Sequence, residues 1–179
     1  MSDTLKTNLP TAARKLMMSQ YLKCWLNRWS PFQGSGIRVR RISRDCREVD
    51  IEMVHYRWNT NRNTTHFGGS LFAMTDGMYT MILMENLGPD YIVWDKSASI
   101  RFRRPARSSV RAEFRLSEEQ IEEVRRTADT QPKVEPTWKV EIKDTSGEVV
   151  AVVERTVYVK RRLGTILPRS ESSQHDGRG

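Results

Sequence analysis

The sequence predicts an α+β domain in which an antiparallel sheet of about six strands wraps round a long central helix. Three observations carry that expectation. The stretch His66-Phe67-Gly68-Gly69-Ser70-Leu71-Phe72-Ala73-Met74-Thr75-Asp76, running on to Met84, reads as a helix opened by two glycines and apolar on nearly every side. Such a helix belongs in a core or a membrane, and this one is shorter than the roughly 20 apolar residues that a bilayer span needs. Two alternating stretches precede it and four follow it. An antiparallel sheet with one apolar face needs a cover, and the helix supplies one.

Taken in order, Pro10-Thr11 opens a helix expected over 11–29, with Met18, Leu22, Trp25 and Trp29 on one face. Ser30-Pro31 ends it, because the residue before proline avoids the helical region. A basic amphipathic helix in this place packs over the domain, touches a membrane surface or serves as a transit peptide. Trp25 and Trp29 favour packing by the area they can bury. Gly34-Ser35-Gly36 is a turn, Ile37 to Arg40 alternates as a strand, and Val49 to Met53 does so again, continuing toward Trp58. A polar loop follows from Asn59 to Thr65. Leu87-Gly88-Pro89-Asp90 stops the central helix.

Beyond it, Ile92, Trp94, Ala98, Ile100 and Phe102 are expected on one face of a strand, with Asp95, Ser97, Ser99, Arg101 and Arg103 opposite. A turn over 104–109 leads to the alternating Val110, Ala112, Phe114 and Leu116. Ser117 to Gln120 has capping-box spacing and should start a short helix carrying Ile121 and Val124. Val134, Trp138, Val140 and Ile142 mark a further strand, Asp144 to Gly147 a hairpin turn, and Val149 to Val159 the last strand. These four strands are expected to form a meander. A curved sheet round one helix is the hotdog architecture.

A chain of 179 residues, 37% hydrophobic and 29% charged, suits a single domain. It is expected to span 1–162, with the polar Gly/Ser/Arg-rich residues 163–179 a disordered tail. Cys24 and Cys46 lie far apart without companion ligand spacing, so neither a disulfide framework nor a metal site is expected. A reducing cytoplasm is the expected location, and Met1 to Leu9 has no apolar signal region. The net charge of +8 is scattered, with no zinc-finger or RNP signature, so nucleic acid is not an expected partner. A small polyanion is the better match, since phosphates also need Arg and Lys.

Within the central helix, Asp76 has Phe72, Ala73, Tyr79 and Thr80 three and four positions away. A carboxylate so surrounded is costly unless it is paired or hydrogen-bonded.

The stretch His66 to Asp76 resembles the signature of the phenylacetic-acid-pathway type of hotdog acyl-CoA thioesterases. In that family a His-Gly-Gly element opens the helix, and an acidic residue falls seven positions after the second glycine. Gly69 and Asp76 keep this spacing, while Phe67 is inserted between His66 and Gly68. Ile100 to Ala106 is similar to the family's aromatic-x-arginine-proline segment. Gly68 to Met74 and Tyr91 to Lys96 also resemble a sister group of thioesterase-like hotdog domains.

The resemblance covers about Gly36 to Lys160 and implies hydrolysis of an acyl-CoA thioester in a site shared between two protomers of a homodimer or tetramer. It implies Asp76 as nucleophile or general base and the Gly69 backbone N–H as oxyanion donor, with no cofactor apart from the coenzyme A of the substrate. Asn61, Asn63, His66 and Gly68 are expected to shape the pocket, Thr80 to orient Asp76 or a water, and Arg103, Arg104 and Arg107 to meet phosphates. Each has a plainer reading: the glycines as a tight turn into the helix, His66 as a loop hydrogen-bonder, Asp76 as a satisfied core group, the arginines as a solvated face. A non-catalytic acyl-CoA or lipid-binding module is the alternative function. A hydratase fits less well, because its acid and histidine pairing is not evident.

Overall fold

The structure is a computed structural model and describes residues 11–162. The expected tail lies outside the described residues. α1 (Thr11–Arg28) and α2 (Ser30–Ser35) lead into β1 (Ile37–Ile42) and β2 (Glu48–Met53). A single 3-10 turn and the polar loop precede α3 (Gly68–Ala73) and α4 (Met78–Leu87). β3 (Tyr91–Phe102), β4 (Val110–Arg115), α5 (Glu118–Thr130), β5 (Thr137–Asp144) and β6 (Val149–Arg161) complete the chain.

The six strands form one antiparallel sheet in the order β1-β2-β4-β5-β6-β3. The expected four-strand meander is therefore only β4-β5-β6. β3 crosses to the far side and pairs with β6 from Tyr91↔Arg161 to Phe102↔Ala151. Local alternation defines strands, while neighbour choice depends on where the connection passes the buried helices. The apolar face closes on those helices: Val49, Ile51, Val110, Phe114, Ile142 and Val153 from the sheet meet Met74, Met78, Ile82 and Leu83. On the outer face, charges are matched in pairs, with Glu52 between Arg40 and Arg111, and Asp50 between Arg41 and Arg115.

Pro31 starts α2 rather than a loop, since proline fits the first helical turn, where its missing N–H is unneeded. Trp29 is extended between the two helices. In β3 the expected phase is reversed before Asp95 and holds after it, where Ala98 and Ile100 are partly buried between exposed neighbours. Tyr91 and Val93 are buried, whereas Trp94 is 67% exposed and Phe102 is exposed as well. A register shift between Asp95 and Ser97 then changes which residues face inward.

The two sheet edges are treated differently. At β1, Asn27 of α1 donates its Nδ2 to the Val39 carbonyl at 3.0 Å and accepts the Val39 N–H at 2.8 Å. One side chain thus imitates a neighbouring strand and closes that edge. β3 has no such cover among the described residues.

The central helix is interrupted. Residues 74–77 form a turn between α3 and α4, and Gly77 sits at φ +71°. A methyl group there would meet nothing within 4 Å, so Gly77→Ala tests the backbone alone. It should lower stability by about 1–2 kcal/mol in thermal or denaturant unfolding.

Candidate active site

The chain enters α3 through an extended Phe67 with no side-chain cap. Ser70 and Leu71 both donate to the Phe67 carbonyl, at 3.0 and 3.2 Å. The N–H groups of Gly68 and Gly69, in the first turn, donate to no described residue, as the geometry of a helix start requires. α3 has only six residues, so these are local donors rather than the end of a long dipole. A side chain on Gly69 would collide with the Phe67 ring, and one on Gly68 would press on the ring of Phe102. Both side chains are exposed. The inserted Phe67 therefore forms one wall of the donor pair, and β3 contributes the other.

Asp76 does not sit in the apolar interior that the sequence suggests. It lies in the turn between α3 and α4, its side chain 54% exposed. Arg155 Nη1, from β6, reaches its carboxylate at 2.5 Å. The Arg155 side chain itself is only 3% exposed. Its guanidinium also donates to the Phe72 carbonyl at 3.1 Å and to Thr75 Oγ1, and lies over the Phe72 ring at 4.7 Å. Asp95 approaches the same Nη1 at 4.0 Å.

Two carboxylates thus share one buried cation. Burial pushes the Asp95 carboxyl above its usual range, and the nearby Asp76 charge adds to the rise, while Thr80, Arg155 and the Gly77 N–H pull it down. Thr80 Oγ1 is buried beside this group without closing a hydrogen bond of good geometry. Sequence reasoning missed both Arg155 and Asp95. A signal for Arg155 was present: it falls in the inward phase of Val153, Arg155, Val157 and Val159, where a charge needs partners.

The other expected residues divide. His66 is buried and turned into the protein: Nε2 lies 3.0 Å from the Ser108 carbonyl, and its ring meets His55 edge-on at 4.9 Å. Its Nδ1 is buried without a partner. Asn61 holds the loop, accepting from the Asn63 N–H and donating to Thr65 Oγ1. The Asn63 carbonyl receives Arg107, which also reaches Thr64 Oγ1. Arg104 pairs with Asp144 at 2.6 Å. Arg103 is exposed and makes no side-chain contact of this kind among the described residues. The loop residues and two of the three arginines thus have structural partners. No group of side chains spaced to hold a metal occurs among the described residues.

Sheet order, antiparallel pairing and the enclosed α3–α4 segment make this a hotdog-fold protein. The chain belongs to the family described as Domain of unknown function (DUF4442), whose model matches residues 18–159. No curated protein matches it. Among solved structures it is similar to the Pseudomonas aeruginosa protein PA5026, a protein of unknown function described as a probable thioesterase. That match has 24% identity, covers 86% of this chain and 97% of that one, and gives a TM-score of 0.66. The thioesterase HI1161 of Haemophilus influenzae matches at 16% identity over 82% and 93%, TM-score 0.59. The Escherichia coli PaaI protein, from the phenylacetic acid degradation operon, matches at 14% over 86% and 97%, TM-score 0.57. At these identities the likeness is one of fold.

Two outcomes follow from this geometry. Arg155→Met removes the cation that Asp76 and Asp95 share and should cost about 2–3 kcal/mol of stability. Asp76→Asn keeps an oxygen for Arg155 and leaves a half-exposed group, so it should cost less than about 1 kcal/mol. Urea unfolding of the two variants checks the order.

The second concerns His66, whose pKa burial pushes down. The neutral ring is the folded form, so its contribution is present above about pH 6.5 and is lost as the pH falls through that value. Unfolding free energy should decline on acidification in that window, and His66→Gln should flatten the slope.

Proposed function

We propose that this protein hydrolyses thioesters of the acyl-CoA type in a site completed by a second copy of the chain. One observation carries the reading: an exposed carboxylate, Asp76, held by a buried arginine on the segment that begins with the N–H groups of Gly68 and Gly69, which have no acceptor among the described residues. Asp76 lies seven positions after Gly69, which is about 10 Å at the rise of a helix. One thioester carbonyl cannot touch both groups of the same chain. A second copy, paired along the open β3 edge, brings its own Asp76 toward the first copy's α3. The exposed Trp94 and Phe102 on β3 support that pairing.

In this reading the thioester carbonyl oxygen lies on the Gly69 N–H, and Phe67 and Phe102 exclude water around it. Asp76 takes a proton from a water that attacks the carbonyl carbon, or attacks that carbon itself to form a mixed anhydride that water then hydrolyses. The carbon–sulfur bond breaks, the thiolate takes up a proton, and a carboxylic acid and free thiol leave. Arg155 limits Asp76 to one orientation. Arg103 is the expected phosphate contact that carries no other partner among the described residues, with the exposed Arg101 beside it. Free Cys24 and Cys46 support a reducing, cytoplasmic setting.

The pairing of Asp76 with Arg155 favours a second reading, a module that binds acyl-CoA without turnover, because it gives the carboxylate a structural task. Thiol release over short, aryl and long acyl-CoAs separates the two. The hydrolase reading expects turnover that Asp76→Asn lowers about a hundredfold or more. Binding without thiol release on any member would favour the module.

Light scattering should give at least twice the 20.9 kDa of one chain. Trp94→Lys, which puts a charge at the β3 edge, should yield monomers and lose activity with them. An active monomer would remove the shared site.

A further inference from the structure

α1 is apolar on two sides. Ser19 and Leu26 are buried toward the body of the protein, with Leu22 partly buried beside them. Met17, Met18, Tyr21 and Trp25 turn the other way, Tyr21 62% and Trp25 50% exposed. Trp29 stacks on Trp25 with ring centres 5.9 Å apart and carries the apolar strip past the helix end. Positions 14, 17, 18, 21, 25 and 28 recur at three- and four-residue steps and therefore share one face. Arg14 and Arg28 bracket the strip. With Lys15 and Lys23 the helix has four cations, and it contains no Asp or Glu.

This charge pattern selects among possible covers. A second copy brings the same acid-free helix and a net charge of +8, so α1 against α1 sets like charges together. Trp and Tyr beside Arg and Lys suit the boundary between water and hydrocarbon, where the rings sit at headgroup depth and the cations meet phosphates. α1 also packs on β1, the sheet edge farthest from β3. A flat surface docked there leaves β3 and the α3–α4 turn open.

We infer that α1 is an interfacial helix that docks this protein on anionic phospholipid bilayers. It lies in the plane of the surface, with Met18, Tyr21, Trp25 and Trp29 inserted and Arg14 and Arg28 against lipid phosphates. The inference is independent of the proposed hydrolysis.

Sedimentation of the full chain with vesicles tests it, using phosphatidylcholine alone and an equal mixture of phosphatidylcholine and phosphatidylglycerol. The protein should pellet with the mixed vesicles, remain in the supernatant with phosphatidylcholine, and release as salt rises. Arg14→Gln and Arg28→Gln should each weaken binding roughly fivefold. The double variant Tyr21→Ser/Trp25→Ser should weaken it roughly tenfold or more, while melting like the parent, because both side chains are exposed. Equal pelleting with both lipids, none with either, or undiminished binding of the aromatic double variant would overturn the assignment. So would a drop in subunit number, by light scattering without lipid, on making that variant, since a second copy would then own the strip.

Discussion

The buried guanidinium of Arg155 sets the constraint to which the centre of the molecule conforms. A cation taken almost wholly from water must find its hydrogen bonds inside the protein. It finds them in the Phe72 carbonyl, the Thr75 hydroxyl and the Asp76 carboxylate, all at the end of α3 or in the turn after it. These are the groups that a continuous helix would have kept for its own ladder or turned elsewhere. β6 is thereby joined to the interruption in the central segment, and Asp95 on β3 is drawn to the same nitrogen. One charge aligns three elements at the point where the carboxylates face outward.

The same arrangement explains why the candidate site looks half built in a single chain. The N–H donors at Gly68 and Gly69 and the carboxylate at Asp76 are separated by the length of α3 and its turn. The edge strand beside them carries the exposed rings of Trp94 and Phe102 and has no covering element among the described residues. The opposite edge is closed by a single asparagine, Asn27, that bonds both backbone groups of Val39. A sheet with one edge sealed and one left open directs association to the open side. α1 contributes twice, sealing β1 with one flank and presenting Tyr21 and Trp25 on another.

Much of the fold was legible in the sequence because its signals are local. Alternation marked the strands, the Ser117–Gln120 capping box marked the start of α5, and Gly88 marked the end of α4. The Gly-Gly pair and Asp76 were legible as a spacing. Less legible was what each partner does: Asn61, Arg104 and Arg107 read as pocket residues, yet they hold a loop and a hairpin through contacts some 4 to 44 positions away. The phase at the start of β3 differs from expectation because the register shift between Asp95 and Ser97, which alternation does not reveal, puts Trp94 on the opposite phase from Ala98 and Ile100.

By itself, then, the sequence determined the element types, the single apolar sheet face and the buried segment that covers it, since these follow from the periodicity of neighbouring residues. Only the tertiary structure decided that β3 joins β6 rather than β4, that the central helix breaks at Gly77, and that Arg155 reaches across to Asp76. The first and the last depend on contacts between residues roughly 50 to 80 positions apart. A long-range contact is chosen by the competition of whole surfaces for burial and of buried polar groups for partners. Local periodicity carries no record of that competition.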